Sequence, residues 1–362
     1  MFLALRDIRF ARGRFLLMAG VVALITVLLV LLSGLTAGLG NQSVSAIRAL
    51  GVTADAVAFG APAGGSPKAS FTDSQVTADQ ALRWRQADGV GHAEPFGVSQ
   101  TRMTAEGTAN VAVFGAGGRL APAPVADGSV VLSRTAAEDA GAGIGERIEL
   151  GGIPFTVSAV VDDQWYSHTP VVWISLESWQ AVAHLSDAAG GPVATAIAVE
   201  LADGDADGTA ARLANADAHT TTTSVSGAFQ ALGSYKSENG SLVLMQAFLY
   251  GISALVIVAF LSVWTIQRTR DIAVLKALGG SDGYLLRDAL AQATIVLASG
   301  AAAGGAVGIL GGLAAGQAAP FLLTPATTLL PVAGVVLLGL AGALLAVRRV
   351  ARVDPLTALG GS

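Results

Sequence analysis

The chain has 362 residues, of which 13% are charged and 52% hydrophobic, with a mean hydropathy of +0.61 and a net charge of −5. Soluble domains carry about 25% charged residues, so this composition excludes a disordered chain, a nucleic-acid binder built on a basic face and a wholly soluble protein. Cysteine is absent, which removes any disulfide framework, thiolate metal site or cysteine nucleophile.

In chain order, residues 1–40 form an amphipathic N-terminus followed by a first membrane span. Arg6, Arg9, Arg12 and Arg14 precede the charge-free stretch Phe15–Leu39, whose centre is the apolar run Val21–Leu32. That stretch far exceeds the roughly 7–15 residue apolar region of a signal peptide, and no small-x-small cleavage site follows, so it reads as an anchor.

Residues 41–241 read as a mixed α/β domain. Strand-like runs lie at Val111–Phe114, Ile153–Val161, Val171–Ile174 and Thr195–Leu201, with Gly, Pro and Asp between them. Helical patterns fall at Thr135–Ala140, Leu176–Leu185 and Asp207–Ala216. Gly141, Gly143, Gly145, Gly151 and Gly152 bracket Arg147–Leu150 as tight turns around a strand, not as a phosphate loop, since no strand-to-helix unit surrounds them. Asp203, Asp205 and Asp207 alternate as in a calcium loop but lack its closing bidentate Glu. The histidines His92, His168, His184 and His219 are scattered without metalloprotease spacing, and His168 reads as a hydrogen-bonded surface residue. The chain's one GxSxG match, Gly279–Gly283, follows a helix instead of a strand, so no nucleophile elbow is expected.

Three more charge-free stretches follow: 242–266, 289–318 and 325–347, the last two separated by Pro320 and Pro325. Each exceeds the roughly 20 residues that cross a bilayer as a helix. The fold class expected is therefore an α-helical membrane protein with four transmembrane helices and a mixed α/β extracytoplasmic domain inserted between helices 1 and 2. Orientation follows from charge. Residues 41–241 hold ten basic and twenty-one acidic side chains, whereas the N-terminus, the 267–288 loop and the 348–362 tail together hold eleven basic and five acidic ones. Short basic flanks stay inside, which places both termini and the 267–288 loop in the cytoplasm, the acidic domain outside, and the chain in the cell membrane.

The 267–288 loop contains a short amphipathic helix from Asp271 to Leu278, with Leu275 and Leu278 on one face and Lys276 turned away, ended by Gly279. It reads as a compact knob that a cytoplasmic partner could push. No GxxxxGK[ST] sequence exists, and the only lysines are Lys68, Lys236 and Lys276, so any ATP and magnesium belong to a separate subunit. Gly300, Gly304, Gly308, Gly312 and Gly316 recur at four-residue spacing in the third span, and Gly34 and Gly38 repeat the pattern in the first. Such ladders bare the backbone for close helix packing, within the chain or across a dimer. The spans offer little polarity beyond Ser33, Thr36, Gln246 and Tyr250, which does not suit a wide aqueous pore. A substrate would be apolar or amphiphilic and would enter sideways from the bilayer.

These features resemble the FtsX-like/MacB-type permeases of ABC transporters. The resemblance rests on one span, a large outer domain and three further spans, on the loop Arg270-Asp271-Ile272…Leu275-Lys276-Ala277-Leu278-Gly279, and on the tail Ala351-Arg352…Asp354-Pro355…Ala358-Leu359. Val130–Asp163 is similar to the family's outer core domain. The resemblance implies a non-catalytic permease homodimer, two copies of a cytoplasmic ABC ATPase, and a coupling role for Arg270, Asp271, Leu275, Lys276, Leu278 and Gly279. It implies mechanotransmission, movement of the outer domains driven from below, and no cofactor held by the chain itself. Within the family the chain is most similar to heme-efflux permeases of the HrtB type and their DevC relatives, through the end of the first span at Ser33–Leu39 and Asp163…Tyr166-Ser167-His168. That makes heme the first substrate to consider. Met18, Met245 and Tyr250 are the iron-ligating residue types within the spans, with Gln246 beside them, and Arg48 and Lys236 could pair with heme carboxylates. The alternative is a non-transporting mechanotransmitter that regulates an extracytoplasmic hydrolase or envelope process.

Overall fold

A computed structural model describes residues 12–62, 64–185, 190–202, 208–267 and 282–351. The chain opens with helix α1 (Arg12–Leu50), then strands β1 (Ala56–Phe59) and β2 (Val76–Thr77), helix α2 (Ala78–Gln86), β3 (Val90–Thr104) and β4 (Thr108–Gly115). Next come β5 (Ser129–Ser133), α3 (Arg134–Ala140), β6 (Arg147–Leu150), β7 (Ile153–Val161), β8 (Trp165–Tyr166), β9 (Thr169–Ile174) and α4 (Leu176–Val182). Strands β10 (Pro192–Ala194) and β11 (Ala196–Leu201), helix α5 (Thr209–Ala218), β12 (Thr221–Ser224) and the short α6 (Val225–Ala228) lead to three long helices. These are α7 (Gly233–Gln267), α8 (Asp282–Ala315) and α9 (Pro325–Ala351). The chain divides into two units, one of residues 1–39 with 241–362 and one of residues 40–240.

The first unit is a helical bundle. All four of its helices contain segments long and apolar enough to cross a membrane: Phe15–Leu50, Gly233–Phe260, Arg287–Ala315 and Pro325–Leu345. α9 starts with Pro325 in its first turn, where proline's fixed φ is favourable. Thr324 and Thr327 cap that start reciprocally, each backbone N–H bonding the other's hydroxyl at 3.1 and 2.9 Å. The helices outrun the apolar stretches that announce them. α1 continues past Leu39 because Val44, Ile47 and Leu50 present a buried stripe at i, i+3, i+6, and α7 begins at Gly233, nine residues before Leu242.

The second unit is built on one long strand. The first half of β3 pairs with β11 in a four-stranded antiparallel sheet, β12-β1-β11-β3. Its second half pairs with β4, and the path β3-β4-β9-β5-β7-β6 returns to β3 through Met103 opposite Leu150, closing a small six-stranded barrel. Within the barrel, β4–β9 and β5–β7 are parallel. Met103, Val111, Val113, Val130, Leu132, Ile148, Leu150 and Phe155 form its core together with α3 and α4. The sheet is covered on both faces. Val57, Phe59, Phe96, Ala196 and Ala198 pack with the end of α1, and Ala58, Ala93, Ile197 and Val199 with Trp84 of α2 and Ala214 of α5. Phe59, Phe71, Phe96, Phe114, Tyr166 and Trp173 form an aromatic cluster with adjacent ring centroids 5.0–6.4 Å apart. Burial in this cluster raises the Tyr166 phenol above its ordinary pKa.

The local expectations are met with adjusted ends. β7 is Ile153–Val161 and β6 is Arg147–Leu150. The β6–β7 turn Gly151–Gly152 has φ of 57° and 86°, the mirror-image hairpin geometry that glycine adopts without strain. The helix expected to reach Leu185 stops at Val182, because His184 turns left-handed at φ 52°. α5 closes two residues later than expected, at Ala218, where His219 adopts the same conformation. Residues 203–207, including the alternating aspartates, lie outside the described residues.

Candidate functional site

The α1–α8 seam of the bundle is made by glycines. A methyl group at Gly300 would approach the Ala19 carbonyl to 2.7 Å and Val22 to 3.0 Å, one at Gly304 would overlap the Ala23 carbonyl and Thr26, and one at Gly308 would meet Val30 at 2.9 Å. Here the two backbones come close enough that only hydrogen fits between them, and dispersion replaces the hydrophobic effect as the cohesive force in lipid. Gly312 faces the Phe321 ring instead. Gly316 departs from the ladder: it lies beyond the end of α8, and a methyl there would touch nothing closer than the Gly312 carbonyl at 3.4 Å. Gly34 and Gly38 accommodate the α8–α9 connection, with the Phe321 ring over Gly34, Pro320 against Gly38, and Leu322 N donating to the Gly34 carbonyl at 3.0 Å. Gly305, Gly334, Gly339 and Gly342, which no regular spacing singles out, make the corresponding close approaches of α9 to α8 and α7.

Phe321 also lines an open, groove-like cavity of about 450 Å3. Leu28, Leu31, Leu32 and Leu35 of α1 form one wall at i, i+3, i+4, i+7, and Leu249 of α7 with Ala315 and Ala319 forms the rest. The lining is almost wholly apolar. One turn along α1, Thr36 accepts from Gln246 Nε2 at 2.9 Å and donates to the Leu32 carbonyl at 2.7 Å. This pair ties α7 to α1 while satisfying polar groups in a segment that crosses lipid.

None of the residues singled out as heme contacts lines this cavity. Met245 is exposed, about 100° of helix rotation away from Gln246; Gln246 bonds Thr36 of α1, and Tyr250, one turn further along the same face, packs against Gly334 of α9. Met18 is buried in the bundle core and not in the cavity. Arg48 lies over the Phe229 ring at 5.6 Å and donates to Asn41, and Lys236 is exposed near the start of α7; both belong to the second unit. The coupling residues Arg270, Asp271, Leu275, Lys276, Leu278 and Gly279 lie outside the described residues. Among the described residues, no group of three or more His, Asp or Glu side chains is placed to hold a metal ion.

Comparison with known proteins settles the family. Residues 15–216 match the MacB-like periplasmic core domain and residues 243–355 match the FtsX-like permease C-terminal domain. The chain belongs to the MacB/FtsX family of ABC transporter permeases. It is thus a multi-pass membrane protein of a system that includes a partner ATPase. An uncharacterized ABC transporter permease of Mycobacterium tuberculosis is 25% identical over 100% of this permease and 99% of its own length. A protein of Staphylococcus haemolyticus named as the hemin transport system permease HrtB is 35% identical over 130 residues; the match spans 36% of this chain and only 37% of that relative. Among solved structures, the periplasmic region of MacB from Actinobacillus actinomycetemcomitans aligns at 14% identity with a TM-score of 0.38, covering 51% of this permease and 94% of that chain. The extracellular domain of the YknZ transporter from Gram-positive bacteria aligns at 16% identity with a TM-score of 0.34, covering 46% and 97%.

Proposed function

We propose that this permease exports an amphiphile, with heme as the first substrate, and that a cytoplasmic ATPase drives it by moving the permease itself. In this reading it works as a homodimer with two ATPase copies, both termini and the 267–288 loop inside and the 40–240 unit outside. The observation that carries it is the apolar cavity between α1, α7 and the α8–α9 connection. Its volume suits a flat or chain-like hydrocarbon body, and its apolar lining does not suit a hydrated ion. The 130-residue similarity to a protein named for hemin transport supports heme over other amphiphiles. Because the lining lacks His, Met and Tyr, the ring would be held by its faces and not by an iron ligand from the walls.

The test is hemin titration of the purified permease in lipid nanodiscs, followed by absorbance and tryptophan quenching. Saturable binding that Leu32→Trp weakens at least about tenfold, a loss of 1.4 kcal/mol, while Met245→Ala leaves it unchanged, supports the proposal. Absence of saturable binding removes heme. Partner ATPase stimulation that persists without binding would favour a permease that transmits motion to an outer partner and transports nothing.

A further inference from the structure

The β8–β9 hairpin is built unlike its neighbour. Tyr166 pairs with Thr169, leaving the two-residue turn Ser167–His168, whose φ angles of 49° and 63° both lie in the left-handed region. Asn-Gly or Gly-Gly normally occupies such a turn, and the β6–β7 hairpin of the same unit does use Gly151–Gly152. Ser and His adopt this conformation against their steric preference and persist only where their surroundings hold them.

The hold comes from two helix segments distant in sequence. On the α1 side, Ser167 N donates to the Ser43 carbonyl and His168 N to the Gln42 carbonyl, both at 3.0 Å, and Trp165 N donates to Ser45 Oγ at 2.8 Å. Gln42 and Ser43 lie inside a continuous helix, so their carbonyls take these bonds on a second lone pair. On the α7 side, Ser167 Oγ lies 3.1 Å from Ser234 Oγ, and His168 Nε2 lies 2.9 Å from Glu238 Oε2 and 3.2 Å from Ser43 Oγ. In a bond to a carboxylate oxygen the ring nitrogen is the donor, which assigns that role to Nε2. Ser234 and Glu238 are four residues apart, on one face of the first turns of α7. Behind the turn, Tyr166 is buried in the aromatic cluster, its ring 5.9 Å from Phe71 and 5.5 Å from Phe114.

We propose that this hairpin is a releasable latch: a strained tip that clasps the end of α1 to the start of α7 and, when it lets go, allows the two helix segments to part. A turn selected for stability alone would carry glycine. The Ser-His pair forgoes that stability and supplies the side chains that reach both helices. The proposal builds on the motion-transmitting reading for its purpose only, because the latch itself is a property of the chain alone.

The absence of native cysteine makes the test direct. Nitroxide labels at Ala49→Cys and Gly240→Cys, in the full chain in lipid nanodiscs without ATPase or substrate, report the helix spacing by pulsed electron resonance. The native turn should give one narrow distance distribution. His168→Ala, and separately Ser167→Asn with His168→Gly, should give a broadened distribution or a second, longer one. Amide exchange at residue 167 should accelerate at least about tenfold in His168→Ala, as expected for lost hydrogen bonds. The Asn-Gly variant should part the helices while melting no lower than the native protein, since it relieves the strain; a merely structural hairpin would lower the melting temperature together with the spacing change. Unchanged distances in both variants, a broad distribution in the native chain, or a fall in melting temperature in the Asn-Gly variant would each overturn the latch. Failure of export or ATPase coupling would not touch this measurement and would count against the functional reading alone.

Discussion

At the scale of single residues, the bundle depends on what glycine omits. Gly304 sits where any side chain would meet the Ala23 carbonyl and Thr26, whereas a methyl at Gly316 would make only ordinary contacts, at 3.4 Å and beyond. Both belong to the same i+4 series in the sequence, so the contrast isolates packing from composition. Inserting carbon into a filled contact costs about 1–3 kcal/mol. Gly304→Leu is therefore expected to lower the melting temperature of the detergent-solubilised permease by several degrees, and Gly316→Leu to leave it unchanged; differential scanning fluorimetry on the two variants decides it. Equal effects would mean that the ladder matters through helix propensity and not through the α1–α8 seam.

Among elements, the same device appears in the barrel. Gly97 of β3 and Gly115 of β4 face each other across the ladder and leave a slot filled by the Trp179 indole of α4, whose Nε1 donates to Ser99 Oγ at 3.0 Å. Trp179→Ala should cost about 3–5 kcal/mol through the cavity it opens, and Gly115→Val about 1–3 kcal/mol through overlap with the ring. Combined, the two should be less damaging than their sum, because each removes the other's problem. A double-mutant cycle from urea unfolding measures that coupling, and strict additivity would refute the slot.

These elements also show what a sequence can and cannot display. The four apolar stretches and the strand Ile153–Val161 declare themselves by length and by alternation. The long strand β3 does not, because Gly91, Pro95 and Gly97 interrupt it and normally signal a break. Here sheet pairing on both sides overrides that signal. The continuation of α1 is hidden by Asn41, Gln42, Ser43 and Ser45, polar residues that read as the start of a domain while Val44 and Ile47 keep the helical stripe. Phe321 lies between two prolines in what reads as a linker, yet it fills the space left by Gly34 and Gly312. Gln246 and Tyr250 share a face of α7 at i, i+4, yet the first meets α1 and the second α9, while Met245 is exposed; which neighbour each would meet is not written in the sequence.

For the molecule as a whole, the proposed function makes the 267–288 loop the receiver of the ATPase's motion. Replacing both Leu275 and Leu278 by Asp should then abolish co-purification with the ATPase subunit or its stimulated ATP hydrolysis. Membrane insertion should be retained. Normal stimulation in that variant would remove the loop from the mechanism.

The outer strand β12 runs directly into α6 and from there to the start of α7, and it belongs to the same sheet as the first half of β3. Because that strand runs on into the barrel, sheet and barrel share it among the described residues of the 40–240 unit. Under the proposed function, a push delivered to the sheet would reach the barrel along that shared strand, as along the shaft of an oar.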